Sequence, residues 1–339
     1  VDKRIVVAQK LLPFSHLAGS KVVLPGSILQ ITIYPTLILI ANRQIHIPLT
    51  GPVDDFTVQM DLEKGLVKVW GHYKEGFLRY TIQATVDGSF IIQAEKSPLA
   101  DLFFSTSANT FVPQGNEKLS LGNHKAQDWD LVRRRSDLSE IFPIWFRLGQ
   151  LLPDTVLDIS AGTSALLGNC QLTIADQDKL KVIPSFINLF NAGFEGILSP
   201  RLSDTDFQGF NLKETGPDFK GSAIALLKEG SNLIRSLFFR QRDNELEILP
   251  LLPPEFHSGR FINISCGALG TIDIEWSKKT IRRLVFHSQS LNEIIFRFPK
   301  ELKTFRVCER KNHKGQIVST GSPVSVQQGI SYLFDNFKH

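Results

Sequence analysis

The hydrophobic period of this chain changes twice along its length, and that limits it to a small set of architectures. Over residues 28–34 apolar and polar side chains alternate, with Leu29, Ile31 and Ile33 on one face and Gln30 and Thr32 on the other. Residues 77–86 repeat the pattern, setting Leu78, Tyr80, Ile82, Ala84 and Val86 against Arg79, Thr81, Gln83 and Thr85. Period-two alternation rich in β-branched and aromatic residues is the mark of half-buried antiparallel strands. Pro25-Gly26, Gly51-Pro52, Glu63-Lys64-Gly65 and Asp87-Gly88 supply turns between such strands. Short strands at this spacing predict a sandwich rather than a parallel sheet.

Near Leu121 the period lengthens. Leu131, Leu138, Phe142, Trp145, Leu148 and Leu152 gather on one helical face, interrupted by Pro143, which predicts either a kinked helix or two helices meeting there. Leu180, Ile183, Ile187, Phe190 and Phe194 form a second stripe. A third runs from Ser222, an N-cap candidate, through Leu226, Leu233 and Leu237. After Arg242 alternation returns in Thr271-Ile272-Asp273-Ile274-Glu275-Trp276 and again over residues 282–286. The expected fold is α+β and multidomain: an N-terminal antiparallel β-sandwich (1–120), a helical domain (121–242) and a C-terminal β-sandwich (243–339).

Composition excludes more than it identifies. Hydrophobic residues make up 42% of the 339 and charged residues 21%, which argues for a folded chain. A net charge of +4 calls for neither nucleic acid nor an anionic membrane as partner. The apolar run over residues 28–41 is broken by Gln30, Thr32 and Pro35 and is shorter than the roughly 20 residues a bilayer requires. Cys170, Cys266 and Cys308 are too few and too widely spaced for a disulfide framework or a zinc site. Reduced, buried thiols and a cytoplasmic location are the expectation. The eight histidines show no HExxH spacing, and no GxSxG, Walker or dinucleotide fingerprint appears, so no metal or cofactor is expected. Oligomeric state is left open.

One stretch carries a family likeness. Glu247-Ile248-Leu249-Pro250-Leu251-Leu252-Pro253-Pro254-Glu255-Phe256-His257-Ser258-Gly259 is followed at short distance by Gly267-Ala268-Leu269-Gly270, then by the strand ending at Trp276. The order of helix, LLPP turn, Gly259, Gly267, Gly270 and Trp276 resembles the segment that leaves the last barrel helix in (α/α)-barrel (six-hairpin) glycoside hydrolases of the α-L-fucosidase type. Phe256 stands where that family usually has Trp, and Asn263-Ile264-Ser265-Cys266 where an Arg-containing Gly-rich stretch is common. The close match spans about thirty residues, and the β–α–β order extends it loosely to the whole chain. Twelve helices of roughly 11–12 residues each require on the order of 200 residues with loops. Residues 121–242 have room for four to six, so the resemblance implies a reduced barrel.

The resemblance implies a carbohydrate partner, held between the N-terminal sandwich and the helices, and possible hydrolysis by paired carboxylates. A non-catalytic relative that binds a glycan or a protein is the alternative. Two constellations offer the needed chemistry. Asn123-His124-Lys125-Ala126-Gln127-Asp128-Trp129-Asp130 sets two carboxylates around an aromatic ring that could stack on a sugar, with His124, Lys125 and Gln127 as hydrogen-bonding groups. The same string also reads as a helix start, since first-turn Asp complements the macrodipole. Glu195, then Arg201, then Asp204, Asp206 and Gln208 lie in a polar, Gly-containing connection, which reads equally as a binding loop or as turn chemistry. The catalytic candidates are thus Asp128, Asp130, Glu195, Asp204 and Asp206. The binding candidates are His124, Lys125, Gln127, Trp129, Arg201 and Gln208. Glu214-Thr215-Gly216-Pro217-Asp218-Phe219 resembles the GPDE turn of related phosphorylases but has Phe219 in place of the acid, and reads as a turn. Arg133-Arg134-Arg135 reads as solvated helix surface, because three consecutive residues cannot share one face.

Overall fold

The computed structural model describes residues 4–40, 43–100, 102, 109–156, 163–201, 222–309 and 315–338. Its order is β–α–β. Two antiparallel sheets form the N-terminal part: a four-stranded meander of Ser20–Val23, Gln30–Tyr34, Leu37–Ile40 and Arg43–His46, and a five-stranded sheet of Phe14–Ser15, Asp54–Asp61, Leu66–Tyr73, Gly76–Ala84 and Phe90–Lys96. The alternation read from sequence is what packs them. Ile31 and Ile33 are buried while Gln30 and Thr32 are only partly so, and Leu78, Tyr80, Ile82 and Ala84 all face the core. Val86 departs from the expectation. It lies beyond the strand end in the Asp87-Gly88 turn, where Gly88 takes φ +83°, and is exposed. The Glu63-Lys64-Gly65 turn is closed by Asp61, whose Oδ1 accepts from the N–H groups of Glu63 (3.2 Å) and Lys64 (3.0 Å).

Five helices follow among the described residues: α1 (Trp129–Arg135), α2 (Leu138–Gln150), α3 (Thr163–Ala175), α4 (Lys179–Gly193) and α5 (Ala225–Phe238). The first stripe does divide into two helices, but the break falls at Ser136. That residue adopts the left-handed region (φ 48°) and caps α1, and Asp137 starts α2 by accepting from Ser139 N at 2.9 Å. Pro143 sits within α2. Leu131, on the far side of that break, is exposed. The second stripe is displaced: α4 buries Val182, Phe186, Leu189 and Phe190, whereas Leu180 points to solvent. On a helix apolar on more than one side, sequence spacing alone does not choose the buried face.

α2 is buried along nearly its whole length and packs closely on α5. The approach depends on small residues. A Cβ at Gly230 would lie 2.3 Å from the Trp145 ring, and one at Gly149 would lie 2.3 Å from Ser231. Trp145 Nε1 donates to Leu227 O at 3.1 Å and Ser231 Oγ to Phe146 O at 2.9 Å, so the crossing is also hydrogen-bonded. Gly230→Ala is expected to cost about 1–3 kcal/mol, read as a lower denaturant midpoint, although alanine has the better helix propensity.

The C-terminal part is a second pair of sheets. Seven strands run in the order Lys118–Ser120, Ser258–Ser265, Gly270–Ser277, Thr280–Ser288, Ser331–Lys338, Thr304–Glu309 and Gln316–Ser319. Four run in the order Phe239–Arg242, Glu245–Ile248, Asn292–Arg297 and Pro323–Val326, the middle pair parallel. Lys118–Ser120 thus leaves the N-terminal segment to join the C-terminal sheet. The residues of the family-like stretch pack against one another. Trp276 is buried, stacks on Phe238 at 5.5 Å and donates from Nε1 to Phe256 O at 3.1 Å. A Cβ at Gly259 would lie 2.2 Å from its ring. Phe256 in turn meets Phe142 of α2 at 5.6 Å, so the turn locks the helices to the sandwich.

One hydrophobic core runs through all three parts. An N-terminal strap adds to the joint. Ile5 packs on Ile262 and Val285 of the C-terminal sheet, and Leu11 O and Pro13 O accept from Leu62 N and Met60 N of the N-terminal sheet. Cys170, Cys266 and Cys308 are buried, and burial pushes the pKa of Cys170 and Cys266 up to about 12. Among the described residues no helix is long and apolar enough to cross a membrane.

Glu140 ties the start of α2 to the preceding loop, pairing with Lys125 at 3.0 Å and with Arg135. Burial raises its pKa, but the hydrogen bonds from Arg135 and Lys125 outweigh that, and the net shift is downward from 4.5. A depressed carboxylate pKa contributes stability that is present above the unfolded value and lost as pH falls through the folded one. Stability is therefore expected to drop as pH is lowered past 4.5, and Glu140→Gln to flatten that part of a pH–stability curve.

Candidate functional site

Among the described residues, little room is left around the first constellation at the expected junction between the N-terminal sandwich and the helices. The void bordered by Asn123, Lys125, Gln127 and Glu140 measures about 10 Å³, space for one water at most. The residues there serve the fold. Asp128 is the N-cap of α1, accepting from the N–H groups of Asp130 (3.0 Å) and Leu131 (3.3 Å). Asp130 accepts from Ser15 Oγ at 3.0 Å. Gln127 grips the N-terminal strap, accepting from Leu12 N at 2.6 Å and donating to Lys10 O at 2.8 Å. Lys125 is spent on Glu140, and His124 is exposed. Trp129 is 1% exposed, edge-on to Phe190, and offers no face to a sugar.

The second constellation is partly assembled. Glu195 pairs with Lys21 at 2.8 Å, and Arg201 N donates to Gly193 O at 2.9 Å. Arg133 stands among Arg201, Glu195 and Asp130. Burial, then the charge of Arg201, lower its pKa, while Glu195 and Asp130 oppose the shift. Tertiary structure therefore gathers Asp130, Glu195 and Arg201 around an arginine that sequence assigned to the surface. Asp204, Asp206 and Gln208 lie outside the described residues.

Ligand-sized space appears elsewhere. A groove of about 580 Å³ opens between the 114–117 connection, the end of α2, one face of α5 and the seven-stranded sheet. That volume falls within the range of about 300–1,000 Å³ typical of small-molecule sites. Lys228, Ser231, Asn232 and Arg235 recur at helical spacing, which sets them on one face of α5. Opposite them Asn263, Ser265 and Thr271 come from adjacent strands.

The buried charged groups of the floor are hydrogen-bonded. Glu117 is buried and accepts from Arg235 Nε (2.9 Å) and Nη2 (3.0 Å), Gln150 Nε2 (3.2 Å) and the Ser265 N–H (2.8 Å). Buried Arg147 donates to Gly115 O at 3.2 Å and holds the connection in place. Burial lowers the Arg147 pKa, and Glu63 and Glu117 push it back up. Asn263 Nδ2 donates to Asn116 O at 3.0 Å and pins the connection to the sheet. Gln114, Asn116 and Asn232 are exposed in the lining, and among the described residues their side-chain amides make no hydrogen bond.

The amides and hydroxyls of the rim can both donate and accept, which suits a polyhydroxylated ligand. None of the described lining residues is aromatic, so the groups the groove presents are hydrogen-bonding ones. These residues carried no sequence signal, since they are common polar types spread over more than 150 positions. Among the described residues no group of three or more His, Cys, Asp and Glu side chains could hold a metal ion.

No protein-family model matches this chain, and no curated protein matches it at a significant level.

Proposed function

We propose that the chain is a shortened relative of (α/α)-barrel glycoside hydrolases that binds a glycan in the groove lined by Gln114, Asn116, Asn232 and Asn263. The observation that carries this reading is a 580 Å³ groove in which the amides of Gln114, Asn116 and Asn232 are unpaired while the carboxylate beneath them, Glu117, is fully hydrogen-bonded. Glycosidic cleavage needs one carboxyl group on each side of the scissile bond. The described candidates Asp128, Asp130 and Glu195 are held as a helix cap, a serine partner and an ion pair, which favours binding over hydrolysis.

The test is retention on an array of immobilised neutral oligosaccharides. Gln114→Ala with Asn232→Ala is expected to weaken capture about 5- to 150-fold, at roughly 0.5–1.5 kcal/mol for each of the two lost hydrogen bonds. Both side chains are exposed, so folding should be unchanged. Asp130→Asn and Glu195→Gln are expected to leave capture as in the parent. Absence of any retained oligosaccharide, or equal capture by the double variant, would overturn the reading.

A further inference from the structure

The groove shares a wall with a second polar cluster. Thr271 and Asn263 line the groove. Thr271 is the cross-strand partner of His287, and His287 that of Ser331, so the three lie side by side across the sheet. Asp273, two residues along from Thr271, is on the same face of its strand. His287 Nδ1 lies 2.8 Å from Ser331 Oγ, and its Nε2 lies 3.8 Å from Asp273 Oδ2. Asp273 is buried and held by the Asn263 N–H, which donates to its Oδ1 at 2.7 Å. A hydroxyl, an imidazole and an anchored carboxylate therefore stand in line, with Ser331 and His287 partly open to solvent.

We propose that Ser331, His287 and Asp273 form a nucleophilic relay that removes O-acyl groups from a glycan held in the adjoining groove. The nucleophile–base separation falls within the usual 2.6–3.2 Å, and the base faces an orienting carboxylate, which is how such constellations are recognised whatever the fold. With the ring hydrogen on Nε2, Nδ1 is free to take the hydroxyl proton. Ser331 Oγ then bonds to the ester carbonyl carbon as its proton passes to Nδ1. Collapse of the tetrahedral species breaks the acyl C–O bond, and the sugar alcohol leaves with that proton. Water repeats the sequence on the acyl-serine, releasing a carboxylic acid and restoring the hydroxyl. Asp273 touches no reacting atom. It is a positioning residue that stabilises the imidazolium.

The glycan part of this proposal rests on the groove reading, and the relay does not. The full chain is treated with a fluorophosphonate probe and the modified peptide identified by mass spectrometry. Expected are phosphonylation at Ser331, none there in Ser331→Ala, and labelling about 10²-fold slower in His287→Gln. Asp273→Asn is expected to lower the maximal labelling rate without changing the probe concentration at half-saturation. An unlabelled Ser331, or an unchanged rate in His287→Gln, overturns the relay even if oligosaccharide capture persists. Labelling without oligosaccharide capture supports the relay and overturns the groove reading. Site mapping is done on the parent chain, so it stands even if a variant fails to fold.

Discussion

Trp276→Ala is expected to be the most damaging single substitution considered for this chain, at about 3–5 kcal/mol. The indole is fully enclosed, stacks on Phe238, and fills the space that a glycine at position 259 leaves open. Its removal also strips Phe256 O of the Nε1 donor, an added cost of about 1 kcal/mol. The cavity would open where the LLPP turn joins α2 and α5 to the sandwich, so neighbouring parts cannot readily collapse into it. Trp276→Phe keeps most of the volume and is expected to cost under about 2 kcal/mol. Denaturant midpoints of the two variants against the parent check both figures, and equal loss in both would show that volume is not the cause.

Glu117→Ala is expected to cost about 3 kcal/mol and to abolish oligosaccharide capture. Removing one member of a buried ion pair costs roughly 3–5 kcal/mol, because the partner charge is stranded. The lower end applies, since the Arg235 side chain is 28% exposed and water can recover part of its hydration. Gln150 and the Ser265 N–H would lose their acceptor as well. Glu117 holds α2, α5 and the sheet in fixed relation beneath the groove, so its loss should loosen the amides above it. Glu117→Gln, which keeps one acceptor oxygen, is expected to bind weakly and to recover part of the stability. Chemical denaturation and the oligosaccharide array read the two effects separately. Normal stability in Glu117→Ala would show the pair to be dispensable.

These two residues illustrate what was legible in advance. Trp276 stood out in the sequence, as the end of an alternating strand after a proline turn, and its packing matches that pattern. Glu117 did not, since a lone glutamate before a short strand carries no local mark. The candidates around Asp128 and Trp129 looked like a sugar site because carboxylates flanking an aromatic ring suit one. The same three residues also make an N-cap, a core anchor and a serine partner, and sequence spacing cannot separate those uses.

By itself the sequence determined the β–α–β order, the antiparallel strands, the buried thiols and the tight residues of the closing stretch. All of these follow from local periodicity, turn chemistry and residue size, which act over a few positions at a time. Only the tertiary structure decided which helix faces are buried, that Lys118–Ser120 joins the C-terminal sheet, and where open space remains. The groove is assembled from a connection, a helix face and two strands, and the His287–Ser331 pair from strands 44 residues apart. Such contacts depend on how whole elements are laid against one another, which no short-range pattern in the chain encodes.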